Sequence, residues 1–177
     1  FSNKTIWPLF HYFPYFTSFD DRTWESYREV NERFFETLKK IYERGDIIWV
    51  HDYHLMLLPG IIRRNIPDAK IGFFLHIPFP SYEVFRLLPW RHEVLSGILG
   101  SDLIGFHTFG YVRHFLSSVQ RIIGIEHSMG RMTIDTRIIK CDSFPMGIDY
   151  RRYSDYMSDR KIAAEIEAFK NNLQGKR

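Results

Sequence analysis

The chain has 177 residues, 45% apolar and 25% charged, with a formal net charge of +3 at pH 7; this is the composition of an ordinary globular protein large enough for a sizeable core. Its basic residues fall in short pairs such as Lys39-Lys40, Arg63-Arg64 and Arg151-Arg152 among acidic neighbours, so no nucleic-acid partner is expected. Cys141 is the only cysteine, which excludes an internal disulfide and points to a cytoplasmic setting; the apolar runs are cut by His51, Asp52, His54, Arg63 and His76, so no membrane span is expected.

Phe1-Ser2-Asn3-Lys4 carries neither an initiator Met nor a signal-peptide pattern, so the numbering is expected to begin inside a longer protein. Asp20-Asp21 opens a helix in which Trp24, Tyr27, Phe34, Leu38 and Ile41 recur at three- and four-residue spacings, predicting a buried stripe opposite Glu25, Arg28, Glu32, Glu36 and Lys39. Gly45 stops it. Ile47 to Val50 is a short continuous apolar run, as in a parallel strand buried on both faces. A helix over Leu55 to Arg64 follows, then a strand from Ile71 to Ile77 that Pro78-Phe79-Pro80 ends. Two short helices, Tyr82 to Leu88 and Trp90 to Leu99, precede a strand at Leu103 to Phe106 and a helix from about Tyr111 to Ile123. Met132 to Ile134 and Arg137 to Cys141 read as a hairpin about Asp135-Thr136, Phe144 to Ile148 as a last apolar stretch, and the tail from Ser158 as a polar helix.

Strands alternating with helices at this spacing predict an α/β fold with a mainly parallel sheet wrapped on both faces. Ligands of such sheets bind at the carboxyl ends of the strands. Three strand ends there carry polar residues: His51-Asp52-Tyr53-His54, His76-Ile77-Pro78 and Gly105-Phe106-His107-Thr108. Asp52 can accept hydrogen bonds from sugar hydroxyls, or act as the N-cap of the helix that follows. His76 is either a satisfied core histidine or a site residue, and His107 shares that ambiguity. Trp7, with Pro8, Phe10, His11 and Tyr12, is either packing for the long helix or a platform for a sugar face. His51 and His54 make a weak metal pattern without a matched third ligand, and no metal is expected. Gly147 to Asp149 reads as a turn leaving the domain. No P-loop, Gly-x-Gly-x-x-Gly or Gly-x-Ser-x-Gly string occurs.

Three longer strings are more specific: Trp49 to Pro59 (WVHDYHLMLLP), Ile71 to Pro80 (IGFFLHIPFP) and Asp102 to Thr108 (DLIGFHT). With IWPLFHY near the start and FPMGID near the end, they resemble the trehalose-6-phosphate synthase family, glycosyltransferase family 20, to about Tyr150. The resemblance implies a Rossmann-like domain forming most of the N-terminal half of a GT-B fold: an acceptor-side domain over residues 1–150, incomplete at its N-terminus, and a helical segment over 151–177 leading toward a donor-binding domain. It implies transfer of glucose from UDP-glucose to glucose 6-phosphate with retention, giving α,α-trehalose 6-phosphate, without a cofactor. It places Trp7 in the wall of the acceptor site, Asp52 on the acceptor hydroxyls, and His76 on the donor glucose with its carbonyl near the anomeric carbon. The family's glycine-rich loop and its main phosphate-binding side chains would lie outside this sequence, so the segment alone is expected to be inactive. A homo-oligomer of the full-length protein is compatible with the resemblance. Departures are mild: His92 stands where an acidic residue is common after Trp-Arg, and Tyr82-Glu83 lacks the usual small residue. A glucosylglycerol-phosphate synthase and a catalytically silent regulatory subunit are the alternatives.

Overall fold

The computed structural model describes residues 1–156 and 159–173. These form two compact units, Phe1–Pro145 and Met146–Arg177.

The first unit is built on a six-stranded sheet. Its strands are β1 (Ile47–His51), β2 (Lys70–Leu75), β3 (Leu103–Phe106), β4 (His127–Ser128), β5 (Arg131–Ile134) and β6 (Arg137–Ser143), in the order β1-β2-β3-β6-β5-β4. The neighbours from β1 to β6 pair in parallel, whereas β6-β5 and β5-β4 are antiparallel. The hairpin turns at Asp135-Thr136 as expected, with Asp135 at φ 52° and Ile134 paired to Arg137.

The helices of this unit are α1 (Trp7–Phe10), α2 (Asp21–Leu38), α3 (Leu58–Asn65), α4 (Tyr82–Phe85), α5 (Arg91–Ile98) and α6 (Phe109–Ile123). Asp20 caps α2 by accepting the Arg22 N–H at 2.9 Å, and Thr108 caps α6 by accepting that of Tyr111 at 3.3 Å. Gly124, at φ 81°, closes α6 in the left-handed conformation that suits glycine. One core joins Val50, Ile71, Phe73, Ile104, Phe106 and Ile139 of the sheet to apolar residues of α2, α3, α5 and α6. Between α5 and the turn entering α3 the approach is close: a Cβ on Gly97 would sit 2.8 Å from the Leu57 Cα and closer still to the Met56 carbonyl. At the amino ends of the strands, Asp102 accepts from Arg63 Nη2 at 2.7 Å and from the Ile71 N–H at 2.8 Å. Arg63 also donates to the carbonyls of Gly100, Pro67 and Ala69, tying the starts of β2 and β3 together.

Two expectations are corrected. The buried stripe of α2 is Trp24, Tyr27, Asn31 and Phe35; Phe34 is exposed, and α2 ends at Leu38 with Lys39 as its C-cap, before Ile41 and well before the Gly45 expected to stop it. Buried asparagine is rare, so apolarity alone favoured the wrong residues. β1 is the edge strand, and it alternates: Ile48 and Val50 are buried while Ile47 and Trp49 are 76% and 66% exposed. Leu103 and Ile138 are also exposed.

The second unit contains α7 (Tyr150–Asp155) and α8 (Arg160–Leu173). Asp149 caps α7, accepting the Arg152 N–H at 3.2 Å, which gives the Gly147–Asp149 turn a helix-starting role. The tail helix expected from Ser158 begins at Arg160; Ser158 itself lies outside the described residues. Among the described residues no helix is long and apolar enough to cross a membrane.

Candidate functional site

The carboxyl ends of β1, β2 and β3 bring His51, Asp52, His76 and His107 together. Beyond β1 the chain makes one more ladder bond, from the Asp52 N–H to the Phe74 carbonyl at 2.8 Å, and then turns sharply. Asp52 takes that turn at φ 70°, a left-handed conformation that is sparsely populated for a non-glycine residue and collects at functional sites. Its side chain reaches across to the next strand end, where Oδ1 accepts the His76 N–H at 3.1 Å. The capping alternative for Asp52 fails, because α3 begins only at Leu58 and has no side-chain cap.

His76 follows β2 directly and is exposed; it is not a core histidine. Its Nε2 lies 2.9 Å from His51 Nδ1. His107 stands edge-on to it, with ring centroids 5.6 Å apart. Though the residue is exposed overall, partial desolvation of its ring lowers the proton affinity of His76; Asp52 opposes this, while His51 and His107 add to the lowering. His54 is not part of the group: its ring packs on Tyr53, centroids 3.9 Å apart. Among the described residues no group of three or more His, Cys, Asp or Glu side chains is placed to hold a metal.

Trp7 opens α1 and is 43% exposed, stacked on His11 with centroids 4.2 Å apart. With Asn3, Lys4, Pro8, Phe13 and Phe16 it lines an open depression of about 380 Å³. Two contacts tie this segment to the strand ends. The Tyr53 hydroxyl donates to Asn3 Oδ1 at 3.3 Å, and the Tyr12 hydroxyl accepts the Ser81 N–H at 2.8 Å. Two other depressions, one of about 260 Å³ beside Trp24 and His92 and one of about 530 Å³ beside Arg63 and Arg137, lie away from the strand carboxyl ends.

Three supporting residues were not legible as such. Tyr27 is buried in α2, and its hydroxyl donates to the Tyr53 carbonyl at 2.8 Å and accepts the Met56 N–H at 3.0 Å. Asn31 donates to the carbonyls of Tyr27 and His54 at 2.9 and 3.2 Å. Together they hold the turn after Asp52 from beneath. His114 of α6 places Nδ1 3.1 Å from the Phe79 carbonyl, steadying the proline-bracketed loop after His76. Only the three- and four-residue spacing on α2 hinted at Tyr27; nothing local marked the other two.

The arrangement offers a carboxyl group and three imidazoles at an open sheet end, beside an exposed indole. Such groups bind and orient hydroxylated ligands, and no serine or cysteine nucleophile belongs to the cluster.

Residues 1–177 match the family model described as glycosyltransferase family 20. The chain is 47% identical over 175 residues to alpha,alpha-trehalose-phosphate synthase [UDP-forming] A of Dictyostelium discoideum, covering 99% of this chain and 24% of that protein. It therefore spans about a quarter of that relative's length. Among solved structures it resembles the N-terminal domain of Candida albicans trehalose-6-phosphate phosphatase, with 38% identity, a TM-score of 0.81, and coverage of 97% of this chain and 37% of that one. It also resembles a UDP-forming alpha,alpha-trehalose-phosphate synthase from Burkholderia xenovorans in complex with glucose-6-phosphate: 28% identity, TM-score 0.85, coverage 100% and 40%.

Proposed function

Since the chain belongs to glycosyltransferase family 20, we propose that it is the acceptor-side part of a retaining glucosyltransferase that makes α,α-trehalose 6-phosphate. Glucose passes from UDP-glucose to the anomeric hydroxyl of glucose 6-phosphate. The bond between the donor anomeric carbon and the UDP oxygen breaks, the acceptor oxygen bonds to that carbon on the same face, and the acceptor proton leaves with the UDP phosphate. No protein nucleophile enters this scheme.

The observation that carries the reading is the Asp52 turn: a carboxyl group held at φ 70° with Oδ1 on the His76 N–H at 3.1 Å. In this reading Asp52 accepts hydrogen bonds from the acceptor hydroxyls while steadying the residue whose carbonyl faces the anomeric carbon. Oxygen dipoles aimed at that electron-poor carbon favour its oxocarbenium-like state. The His76 ring meets the donor glucose, and Trp7 walls the acceptor site. The relative from Dictyostelium is named UDP-forming, and the Burkholderia structure holds glucose-6-phosphate; both support these substrates. The chemistry needs no cofactor. The single, buried Cys141 supports a reducing, cytoplasmic setting.

The test is transfer by a polypeptide of full family length that carries this sequence, offered UDP-glucose with glucose 6-phosphate or glycerol 3-phosphate. Trehalose 6-phosphate is the expected product, and Asp52→Ala is expected to lower the rate by about a hundredfold or more. Transfer to glycerol 3-phosphate instead points to a glucosylglycerol-phosphate synthase. A second reading, a synthase-like domain that binds sugar phosphate without transferring glucose, draws on the likeness to the N-terminal domain of a phosphatase. Glucose 6-phosphate binding without turnover would favour it.

A further inference from the structure

The two imidazoles nearest Asp52 are joined ring to ring. His51 Nδ1 and His76 Nε2 stand 2.9 Å apart, and the ring planes are 22° apart with centroids 5.2 Å from each other. A nitrogen-to-nitrogen contact of that length holds one proton: one ring donates and the other accepts. It couples the two tautomers, because in each neutral ring the nitrogen left free must play the role complementary to the one engaged.

The two partners differ in how firmly they are held. His51 is the last residue of β1, paired in register with Phe74 of β2 and packed against Trp49, with centroids 4.8 Å apart. His76 has left the ladder. Its backbone N–H is held by Asp52, but among the described residues the bond to His51 is the one hydrogen bond its ring makes. Phe74 and His107 approach it as tilted and edge-on walls, 4.8 and 5.6 Å between centroids. Such walls limit tilt but do not choose a tautomer.

Resting on the reading that His76 meets the donor sugar, we propose that His51 is a positioning residue for the His76 ring: by engaging Nε2 it sets the ring's orientation and leaves Nδ1 free to face the sugar. Asp52 fixes the backbone of His76 and His51 fixes its side chain, so adjacent residues of one strand end restrain the same neighbour at two points. The role is specific to the donor side, since neither contact of the Trp7 segment involves His51.

The experiment is a double-mutant cycle in the full-length polypeptide with His51→Ala, His76→Ala and the pair, plus His51→Asn, which returns an amide near the Nδ1 position. His51→Ala is expected to lower kcat/KM for UDP-glucose about tenfold, with KM for glucose 6-phosphate changed by less than about twofold. On the His76→Ala background it should add almost nothing, and His51→Asn should recover activity to within about threefold of wild type. The melting temperature should not move, because the His51 side chain is exposed. Additive losses, an equal effect on the acceptor KM, or an Asn variant as poor as Ala would overturn the positioning role while wild-type turnover leaves the glucosyltransferase reading standing. A wild-type protein that transfers no glucose overturns that reading, and the role of His51 with it.

Discussion

At the scale of single residues, the site is organised by Asp52 and by what its turn does to its neighbours. A left-handed aspartate at the end of a strand lets one side chain cross to the next strand end. The same end lowers the proton affinity of His76, first through burial, against the opposing charge of Asp52 and with help from His51 and His107. His76 is therefore neutral at pH 7 and takes its proton below the usual value of about 6.5. In the unfolded chain the same ring protonates first as pH falls. The unfolded state then binds more protons, and this residue's contribution to stability is lost as pH drops from about 6.5 through its folded value. An NMR titration should find the His76 ring below the ordinary histidine range, and His76→Gln should flatten that part of the pH–stability curve. A ring titrating at or above the ordinary value would contradict this account of its surroundings.

At the scale of elements, the turn after β1 depends on α2, which touches it through Tyr27 and Asn31. The Tyr27 hydroxyl is buried, and both of its hydrogen bonds end on the backbone between Tyr53 and Met56. Tyr27→Phe leaves a buried carbonyl and a buried N–H short of a partner, and should cost about 1–3 kcal/mol in urea unfolding. Because the turn carries Asp52, the same change should also lower transfer activity at temperatures where the protein stays folded. A Phe variant with unchanged stability and activity would mean the hydroxyl is not what holds the turn.

At the scale of the whole molecule, the proposed reaction would bring two phosphate-bearing substrates, UDP-glucose and glucose 6-phosphate, to this site. The groups acting on His76 are Asp52, His51 and His107, with no lysine or arginine among them, so the cluster at the strand ends brings little positive charge to meet phosphate. The chain also spans 24% of the Dictyostelium relative. Incubated by itself with UDP-glucose and glucose 6-phosphate, it is expected to release no UDP above the uncatalysed background; turnover by the isolated chain would overturn that. Ile47, Trp49, Leu103 and Ile138 of the sheet are exposed, and the isolated chain is expected to self-associate in size-exclusion chromatography as its concentration rises; a monomer at all concentrations would contradict this.

The sequence by itself determined most of the element types, the mainly parallel pairing of the sheet, the Asp135-Thr136 hairpin and the three polar strand ends. Each of these follows from local patterning: apolar runs bounded by Gly, Pro or Asp, with polar residues directly after a strand. The family was legible too, because HDYH and HIPFP are strings that periodicity does not require. Only the tertiary structure decided which face of α2 is buried, since Asn31 enters the core through hydrogen bonds to carbonyls 4 and 23 residues away. It also decided that β1 is an edge strand with one open face, that Asp52 holds His76 and caps nothing, and that His51 turns toward the site while His54 turns aside. These outcomes depend on contacts between residues far apart in sequence, such as the 25-residue separation of His51 and His76, and local propensity carries no record of them.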